Sequence, residues 1–215
     1  MKLYDYWRSS AGYRVRIALN LKGLSVERVP VHLLKDGGRQ RLPAYRAVNP
    51  AGLVPTLVTD DGLALSQSLA IVEWLDEVHP LPRLLPLDPT LRAQVRAVAL
   101  TVACEIHPLA NLRVRHYLEG ELGLTPERRA AWDRHWVNQG LTTLESLLAA
   151  RPDGGRYAFG EAPGLADLCL VPQLFNARRI DCRLDAFPTL VAIDAACNAL
   201  PAFQAAHPSR QSDAE

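Results

Sequence analysis

Apolar and polar positions change period along this chain, and the change divides it. Over the first eighty or so residues short apolar runs alternate with helical stripes. "KLYDY" (residues 2–6) reads as a strand, and residues 13–22 place Val15, Ala18, Leu19 and Leu21 on one helical face. "VERVPV" is a second strand, held to an edge or an end by Pro30, whose ring nitrogen cannot donate to a ladder. Residues 36–48 carry Gly37, Gly38 and polar side chains, which predict a loop and a short helix. "VPTLVT" and "LALS" flank "DDG", a hairpin signal, and a helix opens at Ser68 with Leu69, Val72 and either Trp74 or Leu75 facing inward. The order is β-α-β-α-β-β-α, in which the first half can pair in parallel and the second closes as a hairpin.

Pro80, Pro82, Pro86 and Pro89 then crowd "HPLPRLLPLDP", which resists both helix and strand. The boundaries that follow are an α/β domain over 1–80, a linker over 81–89 and an all-helical domain over 90–215. In the last of these, residues 91–119 predict a long helix kinked at Pro108, and 126–150 a second that opens on Pro126. "GLADLCLVPQLFNARR" and "FPTLVAIDAACNAL" give two more, the former with Pro172 inside it, and "HPSRQSDAE" predicts a frayed polar tail.

Composition narrows the classes. Apolar residues make up 48% and charged residues 22%, which suits a globular chain, and a formal net charge of +1 gives no field to draw nucleic acid or an anionic membrane. No apolar run reaches the roughly 20 residues that span a bilayer, and "MKLYDYWRSS" has no apolar signal core, which points to the cytoplasm. The four cysteines, Cys104, Cys169, Cys182 and Cys197, form no CxxC pair and no metal-ligand spacing, so free thiols are expected and metal ligands are not.

Three pieces carry chemistry. "RSSAGYRVRIAL" puts Ser9 and Ser10 at the mouth of a helix with no neighbouring histidine or aspartate to make a hydrolytic nucleophile. Val54-Pro55 precedes a strand; a cis bond there would expose the Val54 N–H and C=O to an added strand, whereas a trans bond would simply begin an edge strand. Ser66-Gln67-Ser68 lies where a strand hands over to a helix, with Ser68 as N-cap and free N–H groups that suit a carboxylate. Together they describe a site for a small peptide with a free amino-acid carboxylate, and glutathione fits.

The chain resembles the glutathione transferase superfamily, its zeta class above all. The resemblance is carried by "RSSAGYRVRIALNLKG", "LLKDGG", "NPAGLVPTL", "QSLAIVEWL", "PRLLPLDP", "IHPLANL", "LADLCLVPQ" and "HPSRQ", spread over essentially the whole length. It implies a thioredoxin-like amino-terminal domain, an all-helical carboxy-terminal domain and a homodimer. It also implies that Ser9, with Ser10, stabilises a glutathione thiolate. Gln67 and Ser68 match the residues that hold the γ-glutamyl carboxylate, Val54 the backbone partner of the cysteinyl unit, and Gln40, His107 and Asn111 further glutathione contacts. Two positions depart from the class: Ala11 stands where cysteine is usual, and Gly164 where a serine or threonine caps a core helix with Asp167 three residues on.

The activity implied is glutathione-dependent cis–trans isomerisation of maleylpyruvate or maleylacetoacetate; the alternatives are conjugation or dehalogenation of small α-halo acids, or a binding module without catalysis. A thiol of pKa near 8.5 is only about 3% ionised at pH 7, so a serine hydroxyl aimed at the sulfur from a helix mouth is useful chemistry. A dicarboxylate substrate needs cations, and Arg8, Arg113, Arg178 and Arg179 are the candidates. Arg14 and Arg16 are expected to face solvent or a domain contact.

Overall fold

The computed structural model describes residues 1–151 and 155–215. Two compact units divide it, one made of Met1–Leu84 with Ala199–Glu215, the other of Leu85–Asn198. The boundaries thus differ from 1–80 and 90–215: the chain's last segment returns to the first unit.

In the first unit β1 (Lys2–Asp5), β2 (Glu27–Pro30), β3 (Thr56–Val58) and β4 (Ala64–Ser66) form one sheet in the order β2-β1-β3-β4. β1 and β2 run parallel through the crossover helix α1 (Ser10–Leu21), and β3–β4 is the antiparallel hairpin that "DDG" predicts. Pro30 ends the edge strand β2, where its missing N–H costs no ladder bond. Between β2 and β3 the chain makes two short 3-10 turns and the single-turn helix α2 (Pro43–Arg46). α3 (Ser68–Val78) buries Ile71, Val72 and Leu75, so Leu75 rather than Trp74 faces inward. Leu3, Val15, Ile17, Leu57, Ile71 and Leu75 are fully buried and form the core.

Two polar ties lock this unit. Lys22, with a fully buried side chain, donates from Nζ to Asp76 (2.8 Å) and to the carbonyls of His79 (2.7 Å) and Pro82 (3.0 Å), joining the end of α1 to the end of α3. Arg16 is 2% exposed and pairs with Asp5 at 2.6 Å while donating to the Ala206 carbonyl at 2.9 Å. Arg14 is as buried as Arg16, and the partners Ser68, Asp5 and Ala206 lie in the same unit, so the expectation that both face solvent or a domain contact is corrected: α1 packs on both its faces, and its arginines serve as internal donors. Gly12 is required beside this pair, because a Cβ there would sit 1.7 Å from Asp5 Oδ1.

The second unit is helical apart from one isolated bridge between Tyr157 and Gly160 among the described residues. Its helices are α4 (Pro89–Leu100), α5 (Leu112–Gly120), α6 (Pro126–Ala149), α7 (Leu165–Arg179) and α8 (Pro188–Asn198). The long helix expected over 91–119 is not kinked but broken. Pro108 has no N–H for the Cys104 carbonyl, and the chain passes through a wide π turn (Thr101–Ile106) and a 3-10 turn (His107–Ala110) before α5 begins. Nearly every side chain of α7 from Leu165 to Ala177 is buried, Pro172 included, which marks it as the central helix. None of the four cysteines is in a disulfide; Cys169, Cys182 and Cys197 are buried and Cys104 is exposed. No helix among the described residues is long and apolar enough to cross a membrane.

Candidate functional site

Sheet register gathers the first unit's candidates at one end. Tyr4 pairs with Thr56, and Thr56 with Ser66. The residues that follow Tyr4 (Arg8, Ser9, Ser10), precede Thr56 (Val54) and follow Ser66 (Gln67, Ser68) therefore all leave the sheet at the same end. β2 runs parallel to β1, with Asp5 opposite Pro30, so the chain toward Gln40 leaves there too.

Ser9 is the N-cap of α1, in extended backbone, and its Oγ accepts the Gly12 N–H at 3.0 Å. That bond occupies a lone pair and leaves the hydroxyl proton to donate outward. Ser10 is the first residue of the helix, and both serines are half-buried. Arg8 precedes them with its guanidinium 5.2 Å over the Trp7 ring. Ala11 falls in the first turn of α1, and nothing in the structure explains why it stands where cysteine is usual.

At α3 the sequence reading is corrected by one residue. Gln67, not Ser68, occupies the N-cap, with φ +68°, and no side chain caps the helix. A non-glycine residue in that region costs about 1–3 kcal/mol, and such strain clusters at functional sites. Ser68 instead accepts from Arg14 Nη1 at 3.1 Å, which links the start of α3 to α1. The first N–H groups of an eleven-residue helix are thus left without a side-chain cap, beside Gln67.

Val54-Pro55 is cis, as is Leu81-Pro82. Among the described residues the N–H and C=O of Val54 take no backbone partner. Gln40 is 7% exposed; its Nε2 reaches the Leu33 carbonyl at 3.4 Å, and its Oε1 is buried without a partner. A free backbone edge, an uncapped helix start and an orphaned buried amide oxygen are what a small peptide with a free carboxylate needs, so these residues fit glutathione.

The remaining candidates belong to the second unit. His107 opens the 3-10 turn at the helix break, and Asn111 caps α5 by accepting the Arg113 N–H at 3.1 Å. Trp132 of α6 pins this segment through the Leu109 carbonyl at 2.8 Å, a contact without a sequence signal because it spans two helices. Arg113 is exposed. Arg178 and Arg179 end α7 as expected, but Arg178 is paired with buried Asp194 at 2.7 Å, whose carboxyl burial raises, whereas Arg179 touches Asn176 at 3.3 Å.

At Gly164 the missing hydroxyl removes one arm of the capping box, and Asp167 keeps the other: Oδ2 accepts the Gly164 N–H and Oδ1 the Ala158 N–H, both at 2.8 Å.

Comparison with known proteins decides the family. Residues 8–78 match the model of the glutathione S-transferase amino-terminal domain. A maleylacetoacetate isomerase of Pseudomonas aeruginosa is 49% identical over 213 residues, covering 99% of this chain and 98% of that one. The chain belongs to the glutathione S-transferases. Within them it is similar to a holo structure of maleylpyruvate isomerase, described as a bacterial zeta-class member, with a TM-score of 0.96, 46% identity and full coverage of both chains. A maleylacetoacetate isomerase of Methylobacterium extorquens with bound malonate and glutathione also gives a TM-score of 0.96, at 42% identity and full coverage of both chains. The resemblance seen in "RSSAGYRVRIALNLKG" is therefore correct, as is the glutathione transferase fold with its four-stranded sheet and helical second part.

Proposed function

We propose that this glutathione S-transferase is a glutathione-dependent cis–trans isomerase of a maleyl keto acid, taking maleylpyruvate or maleylacetoacetate to the fumaryl form. The observation that carries the reading is Ser9: a hydroxyl fixed by its cap bond to Gly12, with its proton left to donate, at the sheet end that also offers Val54 and the bare start of α3. Glutathione, when bound, would supply a thiolate that can add to a conjugated cis alkene and leave again as the thiolate, which makes the carbon–carbon bond rotatable and leaves glutathione unconsumed.

The chain's residues prepare that chemistry. Ser9, seconded by Ser10, donates to the sulfur and so favours its anion; each pKa unit gained is about 1.4 kcal/mol of preference for the thiolate. Gln67 and the first N–H groups of α3 hold the γ-glutamyl carboxylate, and Arg14 keeps Ser68 in place beside them. Val54 pairs with the peptide backbone and Gln40 offers its orphaned amide oxygen, while His107 and Asn111 are carried as further glutathione contacts by the family resemblance alone. Arg8, Arg113 and Arg179 take the substrate carboxylates by bidentate donation. Arg178 is the poorest of the four candidates, since its guanidinium already serves Asp194. The Methylobacterium enzyme's structure, which holds both malonate and glutathione, supports a dicarboxylate. The working form is a cytoplasmic homodimer, which sedimentation equilibrium of the purified protein tests; a monomer at all concentrations would refute it.

Incubation with maleylpyruvate and with maleylacetoacetate, each with and without glutathione, is the test of the reaction. Loss of the cis substrate should depend on glutathione while thiol titre stays constant. Stoichiometric loss of thiol would point to conjugation or dehalogenation, and no glutathione-dependent change would refute the assignment.

A further inference from the structure

The tail "HPSRQSDAE" does not fray. Gln211 folds it back by donating from Nε2 to the carbonyls of Ala205 (2.9 Å) and His207 (2.8 Å), while its Oε1 accepts from Arg28 at 2.8 Å. Glu215 meets Lys35 and His32 further on. Between these anchors Asp213 Oδ2 accepts the Trp7 N–H at 3.0 Å.

Trp7 adjoins Arg8 and stands two residues before Ser9, and the four backbone polar groups of Tyr6 and Trp7 are all engaged. The Tyr6 N–H donates to Asp5 Oδ1 at 2.7 Å, the Tyr6 carbonyl accepts the Ser9 N–H at 2.9 Å, and the Trp7 carbonyl accepts Arg16 Nη2 at 2.9 Å. Asp5 and Arg16 belong to β1 and α1, which the core already holds. The fourth bond, to Asp213, comes from a tail segment with little core of its own, from 206 positions further along the chain. A turn fixed at three points can still pivot about the free one, and a hydroxyl's donation weakens steeply with angle.

We propose that Asp213 is a positioning residue of the glutathione site: by accepting the Trp7 N–H it fixes the turn that presents Arg8 and the Ser9 hydroxyl. This rests on the reading of Ser9 given above. It calls for an acceptor oxygen at position 213 rather than for a charge, and that separates it from general electrostatics.

The experiment compares the intact enzyme with Asp213→Ala and Asp213→Asn, following glutathione-dependent turnover of the maleyl keto acid and the ultraviolet absorbance of enzyme-bound glutathione thiolate across pH. Asp213→Ala should lower kcat about 5- to 10-fold at pH 7, because small misplacements of a catalytic group are expensive. It should raise the bound thiol pKa by roughly half a unit or more. Asp213→Asn, which keeps an acceptor oxygen of the same reach, should stay within about twofold of the parent. A merely structural role would lower the melting temperature without moving the thiol pKa. An Asp213→Ala enzyme with the parent's kcat and thiol pKa overturns the proposal, and so does an Asp213→Asn enzyme as impaired as the alanine variant. A parent protein with no glutathione-dependent turnover and no bound thiolate would defeat the reading of Ser9, and this proposal with it.

Discussion

Replacing Ser9 by alanine should lower kcat about 10- to 100-fold at pH 7, since the main hydroxyl proposed to donate to the sulfur is lost and the bound thiol should return by one or two units toward its ordinary pKa. The pH profile gives the sign. Turnover needs the thiolate, so raising the thiol pKa moves the rising limb of kcat to higher pH by the same amount, and much of the lost rate should return in mild alkali. Ser9 has a second duty that could confuse the result: it caps α1 through the Gly12 N–H, and an N-cap serine changed to alanine costs about 1 kcal/mol. Ser9→Gly separates the two, because glycine caps within a few tenths of a kcal/mol yet has no hydroxyl. The expected outcome is a glycine variant nearly as stable as the parent and as slow as the alanine variant. If either variant turns over at the parent rate, the donor is elsewhere, Ser10 being the next to test.

The largest effect on stability is expected at Asp167. Its carboxylate accepts from the N–H groups of Ala158 and Gly164, and the Cys197 thiol lies 3.7 Å from Oδ1. Asp167→Ala leaves both N–H groups in place with nothing to accept them. Each such orphan costs about 1–3 kcal/mol where it is buried, so a loss of about 3–5 kcal/mol in urea unfolding at pH 7 is expected. A variant as stable as the parent would show that water or a shifted turn replaces the carboxylate.

Burial at this site raises the Asp167 carboxyl to about 6, against the pull of its backbone hydrogen bonds. Its folded pKa therefore lies above its unfolded one, the reverse of the common salt-bridged aspartate. Between about pH 4 and 6 the native group holds a proton that the unfolded chain has released, so its contribution falls as pH rises through that window. The change is of the order of 3 kcal/mol. Asp167→Asn, which has no proton to release, should lose that slope; parallel stability curves for parent and asparagine variant over pH 4–6 would contradict it.

Much of the candidate site was legible because it follows local rules. Ser9 is a cap with a helical stripe behind it, and Gln67-Ser68 falls where an alternating strand meets a helical pattern. Two readings failed for one reason, which is that they depended on partners distant in the chain. Arg14 and Arg16 read as facing solvent or a domain contact because arginine rarely goes inside. Here Asp5, Ser68 and the carbonyls of Trp7 and Ala206 were waiting to receive them. Ser68 read as the cap because serine favours that place, but Arg14 claims its hydroxyl and Gln67 takes the N-cap. The break at Pro108, by contrast, has the local cause that the sequence offered, a missing N–H, and only its extent, a π turn and a 3-10 turn in place of a kink, went unread.

By itself, then, the sequence determined the order of the elements, the proline-rich passage between the two halves and the serine pair at a helix mouth, all properties of near neighbours in the chain. The hydrogen-bond partners of buried ionic groups were decided by the tertiary structure alone. It converted two surface-looking arginines into internal struts, and it drew a polar tail back onto the turn that carries Ser9. A buried charge must find its acceptors wherever the fold has put them, and no local pattern records that address.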